Sequence, residues 1–450
     1  MNDSSSRARG ARKGKSQLAT GVLFLFAAST VVAQQAPSAD QSDDAQSRAN
    51  PITLAGQFFD RDFVNYTLFA NAIYDTRIPL LTSSQVNYGG AWGWQAGGSV
   101  TVSHEFKNGV FDLSYTGDYR GYANTNYYRG TDQNLSLYYS KTISRRWSLG
   151  LSESGGILVY GAGFYGLTSS AGASVASNPL SSQSRFTQSG VTLSYLQTRR
   201  LSYVFGGSFF LNDYTYVGAI GMLGGSGSAS IVYRVTSRTS FGGTYSHTYY
   251  TYRGISGNSN LDAESLNFTH DFANRYKLTL SAGVDRAHST GVINIPVSVL
   301  LGGQLVSGYI TGPYNRVSYI PSFQGMLTRY FRRSSFSASV GQGVSPGNGT
   351  FLTSKDIFAN GLYSYSTRRS VVSVAGGYSR LASIANNVSQ TYSYSDVSFS
   401  YGYTLRKYLA ANFRYDLLHY SSLFGYAGLN ENRLSIGLSL SSKSIPVTLF

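Results

Sequence analysis

The segment VSFSYGYTL, residues 397–405, alternates large apolar side chains with small or polar ones. Side chains in a β-strand point to opposite faces with a period of two residues, so this segment would have one apolar face and one polar face. A strand with these two faces can contact lipid on one side and water on the other. The apolar positions are Val397, Phe399, Tyr401, Tyr403 and Leu405.

The same alternation recurs along most of the chain, for example in residues 277–285, 335–341 and 433–440. Alternating segments of about ten residues between turns are typical of transmembrane β-barrels. In lipid, only helices and closed barrels satisfy every backbone polar group. The sequence therefore predicts an all-β protein that forms a single antiparallel transmembrane β-barrel. A secreted β-sandwich is the alternative, but the number of repeats and the aromatic content disfavour it.

The N-terminal residues predict export. Basic side chains from Arg7 to Lys15 precede an apolar stretch at 18–32, and the small residue Ala33 fits a signal-peptidase site, so we predict a signal peptide over 1–33. A membrane-anchor helix is the alternative, but the apolar stretch is short for one. Cleavage would lower the formal net charge from +15 to +11. Residues 34–60 are rich in Gln, Ser and Asp and predict a flexible periplasmic leader, with the barrel over 61–450.

Short turns and long connections alternate along the barrel region. Sixteen strands flank eight short turns, and segments 63–74 and 434–440 add one strand each, so we predict 18 strands, with 16 as the alternative. We expect the short turns on the periplasmic side and the long loops on the extracellular side. A barrel of this size leaves an aqueous channel. The short turns are Lys107–Gly109, Arg145-Arg146, Arg199-Arg200, Arg234–Arg238, Arg275–Lys277, Arg329–Arg333, Arg368-Arg369 and Arg406-Lys407, and the long connections are about 121–132, 157–186, 213–225, 251–261, 287–320, 343–357, 380–390 and 421–431.

Basic residues recur at nearly every short turn. They could recognise a polyanion, but a repeat at each turn rather than one patch favours anchoring at the membrane surface by pairing with lipid phosphates. The expected partners of the barrel are outer-membrane lipid and lipopolysaccharide. We therefore expect an integral protein of the bacterial outer membrane that binds no nucleic acid.

Eight charged residues fall in the polar phase and are the pore-lining candidates. Opposite charges across a pore would order water and sort solutes, or they could only hold the wall together. Their near balance predicts a weakly selective pore that drifts towards anions in dilute salt, where the basic rim is less screened. The candidates are Asp112, Asp118, Arg120, Lys277, Asp285, Asp396, Arg414 and Asp416.

The connection at 287–320 is unusually apolar from Ile293 to Ile310. It could fold into the lumen as a constriction, form an extracellular hairpin, or contact another copy in a homo-oligomer.

The sequence offers no catalytic constellation. Ser246-His247 and His270-Asp271 are sequence neighbours, so the members of each pair would point to opposite faces of a strand and could not exchange a proton. The chain has no Cys and no cluster of metal ligands. We therefore expect no enzyme activity, no cofactor and no metal.

The stretch from Tyr74-Asp75 through residues 92–102, 111–122 and 135–149 resembles the opening of the bacterial outer-membrane β-barrel porin 2 family. That resemblance implies an outer-membrane barrel and a pore, and some members accompany exopolysaccharide export. The C-terminal Phe450 fits a substrate of the outer-membrane assembly machinery. Pro446 breaks the alternation before it, so we expect the assembly signal at 434–440 and a tail at 441–450.

Together these patterns predict a porin-like channel for passive diffusion of small hydrophilic solutes. The alternative is a structural or exopolysaccharide-export-associated barrel that is closed without a partner.

Overall fold

The computed structural model describes residues 63–76, 90–123, 130–159, 183–214, 221–253, 257–272, 276–301, 304–345, 353–384, 391–421, 429–442 and 445–446. The predicted signal peptide and leader lie outside these residues. In the part of the chain that is described, no helix is long and apolar enough to cross a membrane.

Antiparallel strands account for nearly all described residues. In chain order they are β1 (Phe63–Asp75), β2 (Ala91–Phe106), β3 (Gly109–Tyr122), β4 (Gly130–Thr142), β5 (Trp147–Val159), β6 (Gln183–Leu196), β7 (Leu201–Tyr214), β8 (Gly221–Arg234), β9 (Thr239–Arg253), β10 (Gly257–Phe272), β11 (Tyr276–Leu301), β12 (Gln304–Tyr330), β13 (Ser334–Ser345), β14 (Ser354–Ser366), β15 (Ser370–Ser383), β16 (Thr391–Arg406), β17 (Leu409–Tyr420), β18 (Leu429–Ser441) and β19 (Ile445–Pro446).

The sheet closes on itself. Each strand from β1 to β17 pairs with the next, and β18 pairs with β1 from Thr67↔Ser441 to Asp75↔Arg433. The protein is therefore a closed 18-stranded antiparallel barrel, as predicted, and the 16-strand alternative is wrong. The two residues of β19 pair with Phe63 and Val64 of β1. Part of the segment predicted as a tail thus continues the last strand.

Seven of the eight predicted short turns lie at one end of the barrel, which we call the turn rim; the opposite end is the loop rim. Arg275 of the turn predicted at Arg275–Lys277 lies outside the described residues. In four of the seven a Ser or Thr hydroxyl accepts a hydrogen bond from the backbone N–H two residues ahead, and in three of these it also accepts one from the N–H three residues ahead. Thr198, for example, accepts from Arg200 at 3.2 Å and from Leu201 at 3.0 Å. This closes the turn and leaves its Arg side chains exposed. Ser144, Thr236 and Thr367 occupy the corresponding positions, with the bond three ahead absent at Thr236.

The two faces of the wall follow the predicted phase. Val397, Phe399, Tyr401 and Leu405 are exposed on the outside, whereas Gly402 between them is buried on the inside. Residues that lie opposite each other on paired strands have side chains on the same face of the sheet. Each pairing therefore extends the assignment of inward and outward side chains to the next strand. An apolar outer belt therefore runs around the barrel, as a membrane-spanning wall requires.

The strands extend further towards the loop rim than the sequence predicted. The largest difference is at 287–320, where β11 and β12 pair without interruption from Tyr276↔Arg329 to Leu301↔Gln304. β10 pairs with β11 only as far as Gly291. The segment predicted as an irregular connection is therefore a two-stranded ribbon that rises past the neighbouring strands, which agrees with the hairpin alternative.

β12 and β13 separate near the loop rim. Within the described residues they pair only from Phe323↔Gln342 to Tyr330↔Ser335. Beyond Gln342 the end of β13 leaves its neighbour and turns into the barrel, where Val344 packs against the inward side chains of Leu261, Ala287 and Ile320. This departure positions the structure that narrows the lumen.

Candidate functional site

The eight predicted pore-lining residues all occupy inward positions of the wall. Asp112, Asp118 and Arg120 lie on β3, Lys277 and Asp285 on β11, Asp396 on β16, and Arg414 and Asp416 on β17. Their register partners belong to the face opposite the exposed apolar belt.

These eight residues do not form one site. Two of them form a local pair, in which Arg414 Nε donates to both carboxylate oxygens of Asp416 at 2.9 and 3.0 Å. Near the turn rim, Asp112 accepts a hydrogen bond from Ser103 at 2.6 Å. Higher on the same strand, Asp118 accepts one from Gln95 at 2.7 Å. The inner wall is therefore lined with separate charges rather than a single binding cluster.

A buried ion network lies at the loop rim where β18 meets β1. Arg433 Nε donates to Asp75 at 2.6 Å, and an Nη of Arg433 donates to Glu431 at 2.9 Å. The Tyr122 hydroxyl donates to the other oxygen of Asp75. The three ionic side chains are no more than 6% exposed. Removing one partner of a buried pair leaves an uncompensated charge, so a substitution within this network should be costly at the closing seam of the barrel.

Sequence reasoning missed this network for a simple reason. Glu431 falls in a segment predicted as a loop, and Asp75 ends a strand of irregular pattern. Asp132, which interacts electrostatically with Arg120 beside the network, also falls in a predicted loop. Arg433 does follow the polar phase of the last strand, so its alternation with Leu434 was a usable signal. In the structure, Asp132 is buried on β4, and buried Arg120 lies on the adjacent strand β3.

Large buried side chains concentrate at the loop rim. The bulkiest fully buried residues all lie towards that end of their strands or just before one. They are Tyr250, Tyr392, Ile73, Met222, Leu381, Leu418, Glu431, Thr353, Asp75 and Asp416. The inner wall is therefore tightly packed near the loop rim.

Thr353 marks the point where the chain enters the barrel. Thr353 directly precedes β14 in the chain. Its hydroxyl oxygen nevertheless lies 2.7 Å from the hydroxyl of Tyr252, 2.9 Å from that of Ser259 and 3.0 Å from that of Ser289. These partners are inward residues of β9, β10 and β11. Thr353 therefore crosses over the inner surface of three strands. We call Tyr250, Tyr252, Ser259, Ser289 and Thr353 the loop-rim constriction.

Asp285 connects this inward segment to the wall. Its carboxylate accepts a hydrogen bond from the backbone N–H of Val344 at 3.0 Å, directly below the apolar contacts of Val344. Ile384, after β15, packs against the same apolar cluster, and its N–H donates to the Thr353 carbonyl at 3.0 Å. The inward segment of the constriction therefore comes from the ends of β13–β15, and it packs against the inner wall of β9–β11, which includes Ser289 of the predicted segment 287–320.

Below the constriction the inner wall is small and polar. Ser99, Ser136, Ser152 and Ser208 are half-buried inward residues of β2, β4, β5 and β7. Ser208 lies 2.6 Å from Ser226 of the next strand. Such short side chains leave the middle of an 18-stranded barrel open to water.

The histidines do not form a catalytic pair with their sequence neighbours. Ser246 is buried on the inside, whereas His247 points outward. His247 Nδ1 lies 2.7 Å from Asp262 Oδ1, and the other carboxylate oxygen of Asp262 accepts a hydrogen bond from Arg286 at 3.1 Å. Among the described residues, no three His, Cys, Asp or Glu side chains are grouped to hold a metal ion.

Comparison with known proteins gives similarity in structure only. No protein-family model matches the chain, and no curated protein matches it. The chain is similar to OccK5 (OpdH) of Pseudomonas aeruginosa, at 13% identity over 86% of this chain and 99% of that chain, with a TM-score of 0.40. It is also similar to OpdL of Pseudomonas aeruginosa, at 15% identity over 84% and 99%, with a TM-score of 0.38. Acinetobacter baumannii OccAB4 matches at 11% identity over 85% and 99%, with a TM-score of 0.37.

Proposed function

We propose that the protein is an integral outer-membrane channel for passive diffusion of small hydrophilic solutes. The observation that carries this proposal is the closed 18-stranded wall with small polar inward residues between the turn rim and the loop-rim constriction. A barrel of this size leaves a lumen wide enough to hold water. The charged inner residues, including the eight candidates, would line the path of the solute.

Single-channel recording of the purified protein in planar bilayers tests the proposal. An open lumen of this size should give discrete conductance steps. Steps should also appear with Glu153→Gln, a matched variant on the outer face, because that residue lies outside the lumen. A correctly folded wild-type barrel that gives no conductance above the bare bilayer would rule the proposal out.

The packed loop rim favours a second candidate function, a barrel that stays closed until a partner docks. The resemblance to the β-barrel porin 2 family would make an exopolysaccharide-export partner one choice. In that case the wild-type protein should give no conductance. The substitutions Tyr250→Ala and Tyr252→Ala, which shorten two side chains of the constriction, should make the barrel conduct. Steady conductance by the wild type alone would exclude this candidate.

The remaining assignments follow from the channel proposal. Export would use the signal peptide at 1–33, and insertion would require the outer-membrane assembly machinery. The exposed Arg side chains at the turn rim would contact lipid phosphates, and lipopolysaccharide would contact the outer face near the loop rim.

A further inference from the structure

Building on the channel function proposed above, we infer that the pore prefers cations and admits small cationic solutes. The chain as a whole is basic, with a formal net charge of +15. The fold nevertheless sorts its charges so that the inner wall is acidic.

The acidic residues are concentrated on the inside. Every Asp and Glu after residue 62 lies in a described strand, and the register places 11 of these 15 on the inward face. The inward acids are Asp75, Glu105, Asp112, Asp118, Asp132, Asp271, Asp285, Asp356, Asp396, Asp416 and Glu431. Glu153, Asp213, Asp262 and Glu264 point outward.

The basic residues are distributed in the opposite way. Most of those in the described part of the chain lie in the turns or on the outer face. Six belong to the inward phase of strands, namely Arg120, Arg234, Lys277, Arg316, Arg414 and Arg433. Eleven inward carboxylates therefore face six inward cations. This excess of inward acidic side chains differs from the near balance of charge predicted from the eight candidates.

The inward cations near the seam are already paired with acids. Arg414 pairs with Asp416, and Arg433 pairs with Asp75 and Glu431. These pairs cancel charge locally and leave the surplus elsewhere in the barrel.

Four inward carboxylates have neutral donors instead. Asp112 accepts from Ser103, Asp118 from Gln95, Asp285 from the Val344 N–H, and Asp356 from Ser379 at 3.0 Å. Among the described residues, no salt bridge reaches any of the four acids, although Arg120 on the same strand interacts electrostatically with Asp118. The four acids lie on β3, β11 and β14, so this negative charge is spread around the lumen.

Position decides which charges a permeating ion experiences. The Debye length is about 10 Å at 0.1 M salt, so the basic turns act mainly on the bulk solution outside the pore. The six inward carboxylates that are not buried lie along the path itself, between low-dielectric walls that focus their field. They are Glu105, Asp112, Asp118, Asp271, Asp356 and Asp396. Rings of acidic side chains are the usual basis of cation selectivity in channels. The inner wall should therefore outweigh the basic rim.

Reversal potentials in a KCl gradient test the inference with the full-length protein in planar bilayers. We expect a K⁺ to Cl⁻ permeability ratio above unity for the wild type. The triple variant Asp112→Asn, Asp118→Asn, Asp356→Asn should bring the ratio towards unity. The control Asp213→Asn with Glu153→Gln removes two outward acids and should leave the ratio unchanged.

The outcomes separate this inference from the function on which it rests. A conducting wild type with a ratio at or below unity overturns the cation preference and leaves the channel intact. A wild-type preference that survives in the folded triple variant also overturns it, because other groups would then set the ratio. Absence of any conductance would instead overturn the channel function. If the triple variant does not fold, as judged by heat-modifiable gel mobility, Asp118→Asn alone serves in its place.

Discussion

The carboxylate of Asp285 on β11 accepts a hydrogen bond from the backbone N–H of Val344 on β13, 3.0 Å away and across the intervening strand β12. It does so where β13 has already left β12, so no ladder bond to β12 is available to that N–H. One side chain therefore supplies the missing acceptor and holds the end of β13 inside the barrel.

Replacing Asp285 with Ala should loosen this inward segment. The Val344 N–H would lose its acceptor, and leaving a buried donor unpaired costs about 1–3 kcal/mol. We expect more frequent transitions between conductance levels in single-channel recordings. Asp112→Ala is the matched control, since it removes an inward carboxylate near the turn rim. Equal transition rates in both variants would show that the Asp285 bond does not hold the segment.

A disulfide can test the placement of Thr353 directly, because the chain contains no Cys. The hydroxyls of Thr353 and Ser289 lie 3.0 Å apart, a spacing that two thiols can bridge after small adjustments. We expect Thr353→Cys with Ser289→Cys to cross-link on mild oxidation, shown by altered gel mobility that reductant reverses.

The control for that cross-link is Thr353→Cys with Ser99→Cys, whose second thiol lies on β2, away from the constriction. It should not cross-link within one molecule. Equal cross-linking in both pairs, or in neither, would contradict the position of Thr353 over β9–β11.

Much of the barrel could be predicted because its signals are local. The alternation at 397–405 and the basic turns each depend on residues a few positions apart, and closure follows from the need to pair every strand edge in lipid. The predicted strands at 63–74 and 434–440 therefore lie within β1 and β18.

The constriction could not be predicted in this way. Thr353 meets Ser259 and Ser289, which lie 94 and 64 positions away in sequence. No periodicity links these residues, and the inward turn of β13 appears only once the register with β12 is known. The apolar composition of 287–320 suggested a constriction as one possibility, yet in the structure the two halves of this segment pair with each other as β11 and β12.

Arg433→Ala should destabilise the barrel strongly. It leaves Asp75 and Glu431 buried without their cation, and loss of one partner from a buried pair costs about 3–5 kcal/mol. Arg253→Ala breaks the exposed pair with Asp213, for which we expect about 0–1 kcal/mol. Urea unfolding in lipid vesicles, followed by Trp fluorescence, gives both values. Equal losses would mean that the seam network contributes no more than a surface pair.

The assignment of faces also predicts how spin labels should respond along β16. Cys substitutions at Val397, Phe399 and Tyr401 place the label on the exposed apolar face, whereas Ser398 and Ser400 place it in the lumen. Labels at the first three sites should collide mainly with oxygen dissolved in lipid, and labels at the other two with a water-soluble nickel complex, because successive side chains point to opposite faces. The two accessibilities should therefore alternate out of phase with a period of two residues in lipid vesicles. A label on the exposed turn residue Lys407 is the control and should favour the nickel complex. If accessibility is uniform from 397 to 401, this strand does not separate lipid from water, and the assignment of inward and outward charges fails with it.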